Sequence, residues 1–145
     1  MKHAHERTDD GFTFLETLIV LAITVILSAG IGVSALQHIE RAKRAAARSQ
    51  IETLRICLQS YYLDCNDYPG DDQGLDALFE KPVLFPVPAN WAGPYNERKI
   101  PADPWGHPYV YRKPGANNLP YSISSYGADG KEGGNENDKD VNSWE

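Results

Sequence analysis

The chain has 145 residues, with 20 Asp and Glu against 14 Lys and Arg and a formal net charge of −6. That length limits it to one small globular domain, and the acidic balance argues against general nucleic-acid binding. Four histidines and two cysteines carry no zinc-ligand spacing, and neither a phosphate-binding loop nor a dinucleotide fingerprint occurs.

From Thr17 to Gln37 no residue is charged. At 1.5 Å rise per residue that stretch makes about 30 Å of helix, the thickness of a bilayer's hydrocarbon core. Glu16 sits at the lip of this run, where a carboxylate costs about 3 kcal/mol unless something pairs with it. Taken as a bare pattern, residues 1–37 are a signal peptide or simple signal anchor, and Ser28-Ala29-Gly30 would serve as the cleavage site. The hydrophobicity nevertheless continues to Leu36, past that site.

The break at Gly11, followed by Phe12 and then by Glu16 four residues further on, resembles the class III signal of type IV pilins and of the pseudopilins of type II secretion. The resemblance implies a leader at residues 1–11, cut after Gly11 by a membrane prepilin peptidase on the cytoplasmic side. Phe12 then becomes a methylated N-terminus, and residues 12–37 are the retained transmembrane and polymerisation half of a long helix. It also gives Glu16 a partner in assembly, the freed N-terminal amine of a neighbouring subunit, so that two groups costly in lipid neutralise each other. Positive-inside counting runs the other way. Lys2 and Arg7 precede the span, whereas Arg41, Lys43, Arg44 and Arg48 follow it, which by itself favours a cytoplasmic C-terminus. The cytoplasmic peptidase implied by the resemblance requires the opposite topology, and the head is therefore expected in the periplasm. One departure is Val33, which stands where relatives usually carry a helix proline; Gly30 and Gly32 are the comparable weak point.

Between His38 and Asp64 there is no Pro or Gly, and Ile39, Ala42, Ala46, Ile51, Leu54, Leu58, Tyr61 and Tyr62 recur at helical spacing. The helix is expected to run on to about Leu63. Asp64 to Gly70 is dense in turn formers and closes it. Residues 71–82 read as a short helix with an acidic start, an apolar face of Leu75, Leu78 and Phe79, and a stop at Pro82. Residues 83–100 form an irregular connection pinned by its aromatics. Tyr109 to Arg112 and Tyr121 to Tyr126 alternate as two strands, joined by a hairpin through Gly115 and Asn117-Asn118.

Three stretches in this half sharpen the resemblance. They are Tyr61-Tyr62-Leu63-Asp64 with Tyr68-Pro69 and Gln73-Gly74-Leu75-Asp76-Ala77-Leu78; Asp103-Pro104-Trp105-Gly106-His107-Pro108-Tyr109; and Gly127-Ala128-Asp129-Gly130 followed by Asp138, Asp140 and Trp144. Together they resemble the major pseudopilin of the type II secretion system.

The last of the three stretches joins flexible glycines to hard oxygen donors, as calcium requires, although the spacing is not that of an EF-hand. By composition alone it is a solvated acidic tail. The resemblance implies one calcium ion there, held by the Tyr126 backbone carbonyl, Asp129 and Asp140, with Asp138 as third carboxylate because Lys139 stands where some members have an acid. His107 is alone in the head, without spaced partners for a triad or zinc, so no enzyme is expected. Cys57 and Cys65 lie eight residues apart on the expected helix, about 12 Å and beyond the 7 Å reach of a bridge, which predicts two free thiols.

The expected fold class is therefore α+β and pilin-like: a long N-terminal helix whose second half packs on a small antiparallel sheet, with residues 38–145 as periplasmic head. The resemblance implies an inner-membrane, single-pass subunit that polymerises with itself into a periplasmic pseudopilus driving export of folded proteins. Its implied partners are the minor pseudopilins, the inner-membrane secretion platform and the prepilin peptidase, with no nucleic acid. Two alternatives share the anchor: a type IV pilin or minor pseudopilin, and a monomeric membrane-anchored binding domain.

Overall fold

The computed structural model describes residues 12–135 and 138–145, with backbone only for residues 29–35. The leader and Gly11 lie outside them. Helix α1 spans Phe14–Cys65, two residues beyond the expected end. It closes on Asn66, which takes a positive φ of 59° and donates its amide to Tyr62 O at 2.8 Å, as a left-handed helix cap does. Two compact units divide the chain, one up to Ile39 and the other Glu40–Glu145. Among the described residues no helix is long and apolar enough to cross a membrane; side chains 29–35 of the expected span lie outside that description.

The second unit is built on one face of α1. Ala47, Ile51, Leu54, Cys57, Leu58 and Tyr61 are buried there against Leu75, Ala77, Leu78, Tyr111, Ile123 and Val141. Steps of three and four residues back from Leu54 lead through Ile51, Ala47, Lys43 and Glu40, not through the expected Ala46, Ala42 and Ile39. Ile39 is accordingly exposed, and so is Tyr62. The head-facing stripe thus ends in polar side chains, and Glu40 receives the Trp105 indole N–H at 2.9 Å.

Residues 71–82 hold only a four-residue 3-10 helix, Leu75–Leu78. Ala77 is buried beside Leu75 and Leu78, and Phe79, expected on that face, is only half-buried. Gly74 enters the turn at φ 58°, a conformation that explains the glycine of the Gln-Gly-Leu step. Gln73 ties the loop from both ends of its amide. Its Oε1 accepts from Gly70 N at 2.9 Å, while Nε2 donates to Leu84 O at 2.7 Å and to Pro86 O at 2.9 Å. Downstream, Trp91 donates its indole N–H to Ala77 O, and the Tyr95 hydroxyl donates to Asp64 Oδ2, each at 2.9 Å.

The sheet has three antiparallel strands in the order β1-β2-β3, where two were expected: β1 Val110–Arg112, β2 Ser122–Ser125 and β3 Val141–Asn142. Tyr111 pairs with Ile123 across the hairpin, and Ser125 pairs with Val141. Gly115 is required in the hairpin, because a Cβ there would lie 2.2 Å from the Tyr121 carbonyl carbon. Lys113 anchors the hairpin to the end of α1, reaching Asp67 Oδ1 at 2.6 Å and Tyr68 O at 2.7 Å. That hydrogen bond holds the Asp67 carboxyl below its ordinary pKa.

Both cysteines are free, Cys57 buried and Cys65 half-buried on the unbroken helix. Burial pushes both thiols up, so neither offers much thiolate near neutral pH, and what separates them is access, Cys57 being buried and Cys65 half-buried. Alkylation of the folded chain without reductant should label Cys65 about tenfold faster than Cys57, with equal rates after denaturation. Thiols that become reactive only after reduction would instead reveal a disulfide and an interrupted helix.

Candidate functional site

The N-terminal end of α1 is organised by Thr13. Its hydroxyl accepts the Glu16 amide at 3.2 Å, which makes Thr13 the helix N-cap and places Glu16 at the third helical position. There the Glu16 carboxylate also complements the positive helix end. Thr13-x-x-Glu16 has the spacing of a capping box, a local role for Glu16 additional to the expected one in assembly. Phe12 is exposed, as are the apolar side chains from Phe14 to Leu27.

At the opposite end of the chain, residues 126–140 connect β2 to β3, so the candidate metal loop joins two paired strands. Its backbone needs glycine repeatedly. Gly134 has φ 87°, and a Cβ there would lie 2.4 Å from the Asp138 carbonyl oxygen; the same carbonyl approaches Gly127. Asp140 reaches back across the loop, where its Oδ2 accepts the Gly133 amide at 2.9 Å. Its Oδ1 is buried without a hydrogen-bond partner. Asp129 is exposed and accepts the Lys131 amide at 3.1 Å. Asp138 is exposed as well, and Tyr126 is half-buried. Among the described residues no three His, Cys, Asp or Glu side chains are gathered as a metal cluster. Asp140 and the loop backbone are brought together; Asp129 and Asp138 do not join Asp140 as a carboxylate triad.

Sequence reasoning missed how this loop is held. His107 Nδ1 lies 3.1 Å from Gly127 O, and its ring packs so closely on Gly130 that a Cβ there would come within 2.9 Å. Asp103 in turn sets His107. Asp103 is 5% exposed, yet its Oδ1 accepts the amides of Trp105 at 3.0 Å and His107 at 2.8 Å, and its Oδ2 accepts the Ser125 hydroxyl at 2.5 Å. The Asp-Pro-Trp-Gly turn therefore links three elements. Trp105 reaches α1, Asp103 reaches β2, and His107 reaches the candidate metal loop. The available signal was an acidic residue followed by proline in a turn, whose side chain tends to bond the backbone two residues on.

Comparison with known proteins agrees with this architecture. Residues 34–144 match the family model for type II secretion system (T2SS) protein G, and residues 7–32 match the prokaryotic N-terminal methylation motif. The type II secretion system core protein G of Pseudomonas aeruginosa is 40% identical over 139 residues, covering 96% of this chain and 97% of that protein. That of Aeromonas hydrophila is 37% identical over 139 residues, covering 96% and 94%. The crystal structure of the major pseudopilin from the type 2 secretion system of enterohaemorrhagic Escherichia coli aligns with TM-score 0.62 and 39% identity, covering 72% of this chain and 88% of that one. The chain belongs to the type II secretion system protein G family.

Proposed function

We infer that the chain is the structural subunit that polymerises into the periplasmic pseudopilus of type II protein secretion. The observation that carries this reading is the union of an N-terminal methylation motif with a protein G head in one chain. The apolar side chains from Phe12 to Leu27 are exposed in the single subunit, and such a surface calls for lipid or neighbouring helices. The reading places the helix in the inner membrane with the head in the periplasm, the chain polymerising with itself and meeting minor pseudopilins, the secretion platform and the prepilin peptidase.

Calcium is part of the proposal. A hard cation takes carboxylate and carbonyl oxygens, and the residues present fit that demand. Asp140 has a buried oxygen without a partner, and the Asp138 carbonyl packs close over Gly127 and Gly134. Asp129, Asp138, Asp140 and the Tyr126 carbonyl would hold the ion, whose contribution is to neutralise these charges and order the loop.

Processing gives the direct test. Mass spectrometry of the membrane-extracted chain should find methylated Phe12 as N-terminus. Glu16→Ala should leave cleavage intact while lowering multimer yield and secretion at least tenfold. Intact Met1 in cells that have the peptidase would refute the assignment.

A further inference from the structure

The loop of residues 126–140 is supported unequally along its length. Its first turn, from Gly127 to Gly130, is gripped from outside by one side chain. Gly127 O can only accept, so the His107 Nδ1 that lies 3.1 Å from it carries a proton and donates. Three residues on, the same ring covers Gly130, where a Cβ would come within 2.9 Å of both Cε1 and Nε2. Gly127 and Gly130 take φ of 62° and 66°, so the imidazole closes on a bend that has no side chain at either end. Between its two contacts stands Asp129, exposed, with one carboxylate oxygen on the Lys131 amide.

His107 is itself fixed by the turn that carries it. Its amide donates to Asp103 Oδ1 at 2.8 Å, its carbonyl accepts the Asp103 amide at 2.7 Å, and the following Pro108 confines its backbone to extended conformations. The other carboxylate oxygen of Asp103 accepts the Ser125 hydroxyl, and Ser125 is the neighbour of Tyr126. Trp105 of the same turn is bonded to Glu40 of α1. Residues 126–130 are thus held from β2 on one side and from the 103–108 turn on the other. The later part of the loop closes on itself, through Asp140 on the Gly133 amide, and there Asp140 Oδ1 is still unpaired.

We propose that His107 is a positioning residue for calcium: oriented by Asp103, it fixes the turn that carries Asp129 before the ion arrives. Asp129 and Asp138 do not join Asp140 unaided, so binding has to draw the donors together. Each residue ordered in advance removes its conformational entropy from that step. The imidazole acts through the main chain and is not itself a ligand, since its Nδ1 proton is engaged by Gly127 O and a hard cation takes oxygen. This inference rests on the calcium reading of the loop and names the residue outside it that sets the affinity.

The test titrates calcium chloride calorimetrically into the full chain, stripped with chelator and held in detergent, at a temperature where circular dichroism shows each variant folded. His107→Ala should weaken calcium binding about tenfold or more, as loss of a group that orients a metal site does. Asparagine places an amide N–H where Nδ1 stands, so His107→Asn should stay within about threefold of the unsubstituted chain, whereas His107→Gln, with its amide one bond further out, should bind as weakly as alanine. Leu78→Ala empties part of the core and should lower the calcium-free melting midpoint while leaving the affinity unchanged. Equal affinities for the Asn and Gln variants, or a loss in Leu78→Ala as large as in His107→Ala, would overturn the positioning role and leave the calcium reading standing. An unsubstituted chain that binds no calcium would overturn both.

Discussion

Asp103→Ala should unfold the head more readily than any other single polar substitution in it. The side chain is almost fully buried and accepts three hydrogen bonds, from two turn amides and from Ser125 of the central strand. Alanine leaves all three donors unpaired where water does not replace the acceptor, and each such loss costs about 1–3 kcal/mol. A total of about 4 kcal/mol is a large share of the roughly 5–10 kcal/mol a domain of this size holds, and it should lower the melting midpoint by about 15 °C or more. Ser125→Ala removes only one donor, together with its need for a partner, and should cost about 1 kcal/mol. Circular dichroism melts of the chain lacking residues 1–36 give the comparison. An Asp103→Ala midpoint within about 3 °C of the unsubstituted head would show that the turn is held by its prolines and Trp105 instead.

Much of the fold was legible because the physics that fixes it is periodic. Ile51, Leu54, Leu58 and Tyr61 announce a helix face through spacing alone. The hairpin announces itself through alternation and the turn residues at Gly115 and Asn117-Asn118. What stayed hidden is not periodic. Strand β3 is two residues long and follows a glycine-rich acidic stretch, too short for any alternation to register. All four residues of β2 are buried, Ser122, Ser124 and Ser125 among them, although serine is mostly an exposed residue. As the central strand, β2 is covered laterally by its neighbours, and Ser122 and Ser124 sit on a face shared with Arg112, Asn142 and Trp144. Ala42 and Ala46 were placed on the core stripe because alanine suits any helix face, whereas the head follows the line through Lys43 and Glu40. At the candidate site, composition named the oxygen donors. It did not reveal that His107, twenty residues before Gly127, clamps Gly127 and Gly130, since a contact between distant segments leaves no local mark.

Calcium should raise the melting midpoint of the head by about 10 °C, and Asp140→Ala should abolish the rise. In the absence of a cation the loop holds five carboxylates, Asp129, Glu132, Glu136, Asp138 and Asp140, whose repulsion opposes closure, glycines whose ordering is entropically costly, and a buried Asp140 Oδ1 with no partner, an omission that itself costs about 1–3 kcal/mol. A divalent ion offsets all three. Because residues 126–140 join β2 to β3, closing the loop fixes the register in which Ser124 faces Asn142 and Ser125 faces Val141. Binding thereby becomes sheet stability and not only local order. An ion present at a hundred times its dissociation constant adds about 2.7 kcal/mol by mass action, which for a domain of this size is a shift of about 10–15 °C. Asp129→Ala should reduce the rise as well, while Asp72→Asn, an exposed acid on the far loop, should leave it unchanged. Magnesium should do markedly less, because its octahedral demand and tightly held waters suit a glycine-rich loop of carbonyls and carboxylates poorly. The measurement is a set of melts in calcium, magnesium and chelator. Superimposable curves in calcium and chelator would reduce the loop to a solvated acidic connection between two strands, held in place by His107 and by the Gly133–Asp140 hydrogen bond.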